Sequence, residues 1–198
     1  MDPLKKVTGI VAPLDMANVD TDQVIPKQFL KRIERTGFGE FAFFNWRYLE
    51  DGVPNPDFIL NRAEYQNAPI LVAGPNFGSG SSREHAPWAL KEYGFTAIIA
   101  PSFGDIFRSN CFQNGMAPVI LSQASVDTIL ARALRNPGYT LTVDVEARRV
   151  YDDEDFSESF EMEPFRQESL VQGLDEIERS LQNNNEITDF EEAHPARW

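Results

Sequence analysis

The chain has 198 residues, 42% of them hydrophobic, which suits one domain of ordinary size with enough apolar material for a core. A formal net charge of −13 argues against nucleic acid as a partner, and the single cysteine, Cys111, permits no internal disulfide and cannot alone hold a zinc or iron–sulfur centre. No apolar run approaches the roughly 20 residues of a membrane span, and the first residues lack the apolar stretch of a signal peptide, so no membrane association and a cytoplasmic location are expected.

The acidity is uneven. Residues 152–198 hold 15 acidic and 3 basic side chains, whereas residues 1–151 hold 16 and 15. The nearly balanced first part can therefore present a local group of arginine and lysine to an anionic substrate.

Residues 7–12 read as a first strand, broken by Pro13, which opens into a segment rich in Asp and Asn up to Asp22. Asp20 and Asp22 are either functional carboxylates or turn formers and helix caps. Their spacing also hints at calcium, but the glycine and distal glutamate of a calcium loop are missing. Lys27, Lys31, Arg32 and Arg35 follow close together, as a solvated helix face or an anion-facing cluster. Paired glycines at Gly37 and Gly39 suit a mobile loop that closes over a ligand, and residues 30–48 would shape the pocket. The aromatic group Phe41, Phe43, Phe44, Trp46 and Tyr48 reads as core or interface, and residues 51–56 as a turn-rich connector.

An apolar strand over residues 69–74 leads to Gly78-Ser79-Gly80-Ser81-Ser82-Arg83-Glu84-His85 and then to a helix over residues 86–93. Glycines let the backbone approach a ligand, and a helix start favours negative charge. The familiar glycine-with-serine motifs fail here. A dinucleotide fingerprint needs a third glycine where Arg83 stands, a P-loop needs Gly-Lys-Ser/Thr, and neither Ser79 nor Ser81 has the flanking glycines of a hydrolase elbow. One reading of what is left is a capping box from Ser81 to Glu84, although Pro87 argues for a helix that begins nearer Ala86. The other makes a serine the base: its ionised form is favoured by backbone N–H groups, a helix N-terminus and a nearby cation, and Arg83 supplies that cation or grips a substrate carboxylate.

Further along, residues 95–100 and 118–121 read as strands, residues 105–114 as a short helix closed by Gly115, and residues 125–135 as a helix. Residues 139–146 alternate as a half-exposed strand does. Pro164 opens a helix on which Leu170, Leu174, Ile177 and Leu181 share one face. Residues 1–182 are expected to form a single domain and residues 183–198 an acidic flexible tail.

The run from Gly78 through Trp88 resembles the serine loop of the swivelling domain in the aconitase superfamily. Val19-Asp20-Thr21-Asp22-Gln23-Val24-Ile25-Pro26, Phe29-Leu30-Lys31-Arg32 and the run from Pro101 to Asn110 are similar to the small-subunit family of the 3-isopropylmalate dehydratases, in order over roughly residues 4–180. This resemblance implies an α/β fold, an aconitase-like swivelling domain whose barrel- or sandwich-like β core carries flanking helices and a C-terminal amphipathic helix. It puts Ser81 on the catalytic base, Ser82 and Arg83 on substrate contacts, and Asp22 on an aspartate that supports a catalytic histidine from another chain. Arg32 resembles a carboxylate-binding arginine, at a spacing from Asp22 that differs from aconitase. The three cysteines of the family's [4Fe–4S] cluster are missing, so the cluster is implied to sit on a large subunit, with a small dicarboxylate as substrate. The reaction so implied interconverts 2-isopropylmalate and 3-isopropylmalate through 2-isopropylmaleate, in leucine biosynthesis. Alternatives are a methylmalate/citraconate or homoaconitate dehydratase small subunit, or a non-catalytic anion-binding regulatory module.

Overall fold

The computed structural model describes residues 1–31, 36–80 and 83–194. In chain order its strands and α-helices are β1 (Lys6–Leu14), α1 (Thr21–Val24), α2 (Phe44–Arg47), β2 (Ile70–Ala73), α3 (His85–Tyr93), β3 (Ala97–Ala100), α4 (Asp105–Gln113), β4 (Ala117–Ile120), α5 (Gln123–Arg135), β5 (Thr140–Asp144), β6 (Arg149–Tyr151), β7 (Ser157–Ser159), α6 (Pro164–Gln172), α7 (Glu176–Leu181) and α8 (Asn184–Ala193). All seven strands join one sheet in the order β4-β3-β2-β1-β5-β6-β7. β1 to β4 run parallel, and β5 to β7 continue from β1 as an antiparallel meander.

β2, β3 and β4 are buried along nearly their whole length, as is the Val11–Leu14 half of β1 that pairs with β2, as a sheet covered on both faces requires. Successive side chains alternate between two cores. Leu71, Ala73, Ile98 and Ala100 face Ala86, Ala89 and Leu90 of α3 and Phe107 of α4, while Ile70, Val72, Ala97 and Ile99 face Val126, Ile129 and Ala133 of α5. This is the expected α/β arrangement of a β core with flanking helices.

Several local expectations change. β1 continues through Pro13 to Leu14 instead of breaking there. The Val11 N–H points toward the β5 side, where it reaches the Tyr139 carbonyl at 2.9 Å, so the nitrogen of Pro13, two residues on, points the same way. β5 pairs only with Lys6 to Ile10, so the missing N–H of Pro13 takes no ladder bond from the sheet. The single helix expected after Pro164 ends at Gly173 and resumes as α7, which leaves Ile177 and Leu181 exposed while Leu170 alone of that face is fully buried. Asn184–Ala193, within the stretch read from sequence as a flexible tail, is helix α8, exposed along its length.

The Gly37–Gly39 turn is fastened rather than free. The Glu92 carboxylate, near the end of α3, accepts the N–H groups of Gly37, Phe38 and Gly39 at 3.2, 2.5 and 3.0 Å. Phe38 is fully buried against His85 and Trp88 of the same helix. The neighbouring aromatics are core: Phe41 and Phe43 are buried, and Phe29, Phe44 and Trp46 pack against them.

Candidate active site

Three loops leave the carboxyl ends of β1, β2 and β3, the end of a parallel sheet where ligands commonly bind. They are laced to one another by main-chain bonds. Gly74 N–H reaches Met16 O at 3.1 Å, Gly78 N–H reaches Val19 O at 2.7 Å, and Thr21 N–H reaches Ser79 O at 2.9 Å. On the other side Phe77 N–H meets Ser102 O at 3.1 Å and Gly104 N–H meets Phe77 O at 2.9 Å. The loop after β2 therefore lies between its two neighbours as a short extra strand, with bridges from Asp20 to Ser79 and from Phe77 to Phe103. Gly78 and Gly80 take positive φ angles of 71° and 90°. At Gly78 a Cβ would also lie 2.1 Å from the Phe107 ring, so that position is closed to any side chain.

Asp20 and Asp22 separate in role. Asp20 caps α1 in a capping box: its carboxylate accepts the Gln23 N–H at 2.7 Å, and the Gln23 side chain accepts the Asp20 N–H at 2.8 Å. Asp22, two residues on, carries no such duty. Its Oδ1 forms an ion pair with the Arg83 guanidinium, and its Oδ2 lies 3.6 Å from Lys27 Nζ. The Arg83 side chain is 13% exposed and that of Asp22 37%, so the pair sits at the edge of the interior with one face toward solvent.

α3 begins at His85, with Glu84 at its N-cap and no side-chain cap. The capping-box reading needed a helix starting some three residues earlier, and Pro87 instead occupies the first turn, where its missing N–H is harmless. His85 packs edge-on against Phe38 and tilted on Trp88. Burial pulls its pKa below the usual imidazole range, against the nearby Glu84 charge, which favours a neutral ring.

Of the residues expected at the site, Asp22 and Arg83 are brought together, while Ser81, Ser82 and Arg32 lie outside the described residues, as does Arg35. Lys27, which the sequence offered only as one of a basic cluster, joins Asp22. The signal was present in the chain: a one-turn helix after a capping aspartate, closed by Ile25 and Pro26, returns the next side chain to the carboxylate it has just passed. Cys111 is fully buried and burial raises its thiol pKa well above normal, so it is neither ligand nor nucleophile. Among the described residues, no group of three or more His, Cys, Asp or Glu is arranged to hold a metal ion, and no helix is long and apolar enough to cross a membrane.

The helix-flanked mixed sheet, with its loops gathered at the carboxyl edge, matches the fold of an aconitase-like swivelling domain. The crystal structure of 3-isopropylmalate dehydratase (leuD) from Methanocaldococcus jannaschii shares this fold, with a TM-score of 0.64 and 22% identity over 94% of this chain and 99% of that one. The Aconitase C-terminal domain family matches residues 1–124, and the LeuD_N family matches residues 127–164. A 3-isopropylmalate dehydratase small subunit from Rhodopirellula baltica is 57% identical over 93% of this chain and 95% of its own length. Another, from Geobacillus kaustophilus, is 54% identical over the full length of both. The chain belongs to the family of 3-isopropylmalate dehydratase small subunits.

Proposed function

We propose that this chain is the small subunit of a 3-isopropylmalate dehydratase and acts only with a large subunit. The observation that carries the reading is the Asp22–Arg83 pair beside the Gly78–Gly80 turn, in a chain more than half identical to small subunits of that name. Within it Ser81 is the base that removes, and later returns, the proton on the carbon next to a carboxylate. The Gly-rich backbone and the Arg83 charge favour the ionised hydroxyl that this requires. Ser82 and Arg83 grip the substrate, Arg83 by its planar fork, and Arg32 takes a further carboxylate contact. Asp22 supports a histidine of the partner. It also fixes the guanidinium of Arg83, so one carboxylate orients both halves of the site.

The [4Fe–4S] cluster belongs to the large subunit, and there it supplies the Lewis acid for the departing hydroxyl. What this chain contributes is proton transfer and registry. Removal of the carbon-bound proton with loss of hydroxide converts 2-isopropylmalate to 2-isopropylmaleate, and water then adds back with the opposite regiochemistry to give 3-isopropylmalate. Because base and Lewis acid come from different chains, positioning across the subunit interface is part of catalysis.

The test is to co-purify the chain with its large subunit and to measure iron–sulfur absorbance and turnover of 2-isopropylmalate against 2-methylmalate. Preference for the isopropyl substrate in the complex, and no activity in the small chain alone, is the expected result. Turnover by the isolated chain would overturn the two-subunit reading, and a preference for methylmalate would reassign the substrate.

A further inference from the structure

Lys27 is held at the rim of this site by more than chance. α1 is stapled by the Asp20–Gln23 capping box, and the three residues that follow its start of turn, Val24, Ile25 and Pro26, are all buried. The next turn, Lys27–Lys31, is 3-10 helix, pinned by Phe29, whose ring stacks on Phe41 at 3.9 Å and meets Phe44 edge-on at 4.9 Å. Phe43 N–H closes the arrangement on Val24 O at 2.7 Å. A rigid aromatic base therefore sets where the lysine leaves the backbone.

At its far end the ammonium is 3.6 Å from Asp22 Oδ2 while the guanidinium of Arg83 takes Oδ1. Two cations thus stand on either side of one carboxylate, and the trio carries a net positive charge. The two differ in what they have left to give. Arg83 is largely enclosed, whereas the Lys27 side chain is 74% exposed and its ion pair is longer than a hydrogen bond, so its donors remain open to solvent. A single arginine matches one carboxylate of a dianion. The second, which the proposed function gives to Arg32, has oxygens for more than one cation, and Lys27 stands a short distance from Arg83 on the other side of Asp22.

We infer that Lys27 is a substrate-binding residue that shares with Arg32 the second carboxylate of a dicarboxylate ligand, with Asp22 holding Lys27 and Arg83 in place until the ligand arrives. The inference rests on the dehydratase reading for the identity of the ligand, and on the Asp22-centred geometry for the contact itself. Lys27→Met keeps most of the length of the side chain and removes the charge, and Lys27→Arg keeps the charge.

In the small–large complex, Lys27→Met is expected to raise KM for 2-isopropylmalate about tenfold to a hundredfold, the worth of one charge-assisted hydrogen bond, with a smaller change in kcat. Lys27→Arg restores most of the loss. Binding of succinate and butyrate, matched in carbon number, separates contact from support: the substitution should weaken succinate by the same factor and leave butyrate nearly unchanged. Equal weakening of both would show that Lys27 acts only on Asp22 and would overturn the inference, as would an unchanged KM. If the wild-type complex binds succinate over butyrate in a Lys27-dependent way but turns over no malate-type acid, the carboxylate contact stands and the dehydratase reading falls.

Discussion

Glu92, near the end of α3, accepts the backbone N–H of Phe38 at 2.5 Å, although 54 residues separate them. With the flanking bonds from Gly37 and Gly39 the carboxylate fills a three-donor nest of main-chain amides. Arg47 secures the same turn from the other side. Its Nη1 lies 3.4, 3.3 and 3.4 Å from the carbonyls of Gly39, Glu40 and Ala42, and its guanidinium lies over the Tyr93 ring at 4.7 Å. Glu92→Gln removes the charge and turns an amide NH2 toward donors that it cannot satisfy. We expect a loss of about 1–2 kcal/mol, a fall in Tm of roughly 2–8 °C. Thermal denaturation of the small subunit reads this directly, and an unaltered Tm would mean that the nest is decorative.

Gly78 offers a sharper test of the loop that carries the site. An alanine there must hold a φ of 71° and drive its Cβ into the Phe107 ring. Left-handed backbone and overpacking together cost about 2–4 kcal/mol. Gly78→Ala is therefore expected to destabilise the fold by that amount in urea titration. In a Phe107→Ala background, which removes Cγ and Cδ1 and leaves only Cβ, 2.7 Å away, Gly78→Ala should recover part of its cost but not all, because the backbone strain remains. Full recovery would show that sterics alone reserve the position.

Acid stability has a local source on the antiparallel side of the sheet. Asp152, with a side chain 2% exposed, accepts from Tyr139 Oη at 2.5 Å, Arg132 Nη1 at 2.7 Å and the N–H groups of Glu154 and Phe156 at 2.9 and 3.0 Å. Burial pushes its pKa up, but the bonds from Tyr139, Phe156, Glu154 and Arg132 outweigh this and hold it below the usual carboxylate range. A carboxyl with a lower pKa folded than unfolded stabilises the protein above about pH 4 and loses that contribution as pH falls through the folded value. Asp152→Asn should reduce stability at neutral pH by about 2–3 kcal/mol and flatten the acid limb of the stability curve. A variant whose stability falls between pH 5 and pH 2 as steeply as wild type would place the acid sensitivity elsewhere.

The parallel half of this fold was readable because each of its strands is a short apolar run followed by a helix, as at Ile70–Ala73 and Ala97–Ala100. β6 and β7 were not. They are three residues each, Arg149–Tyr151 and Ser157–Ser159, too short and polar for periodicity to register, and they exist because β5 offers an edge to pair with. Pro13 misled for a related reason. Whether a proline breaks a strand depends on which neighbour its nitrogen faces, a tertiary fact absent from local sequence. At the site, motif resemblance singled out Asp22 and Arg83, but only the fold shows that a 61-residue separation closes into an ion pair. Asp20, equally conspicuous in sequence, turned out to be a helix cap.

The assignment of the base is tested by Ser81→Ala in the assembled complex. A general base of this kind contributes about a hundredfold to ten-thousandfold, so kcat should fall by that factor while complex formation and substrate binding persist. Folding should survive as well. α3 takes its N-cap from Glu84, without a side-chain cap, so a role for Ser81 as the helix cap is not needed to hold the helix. Arg83→Lys provides the contrast. A lysine keeps the charge but not the fork, so it can pair with Asp22 or with the substrate, yet cannot serve both in the plane that the guanidinium does. That variant should raise KM more than it lowers kcat, whereas Ser81→Ala should do the reverse. Near-normal turnover in Ser81→Ala would remove the serine from the chemistry and leave Asp22, Lys27 and Arg83 as a carboxylate-binding site without a base.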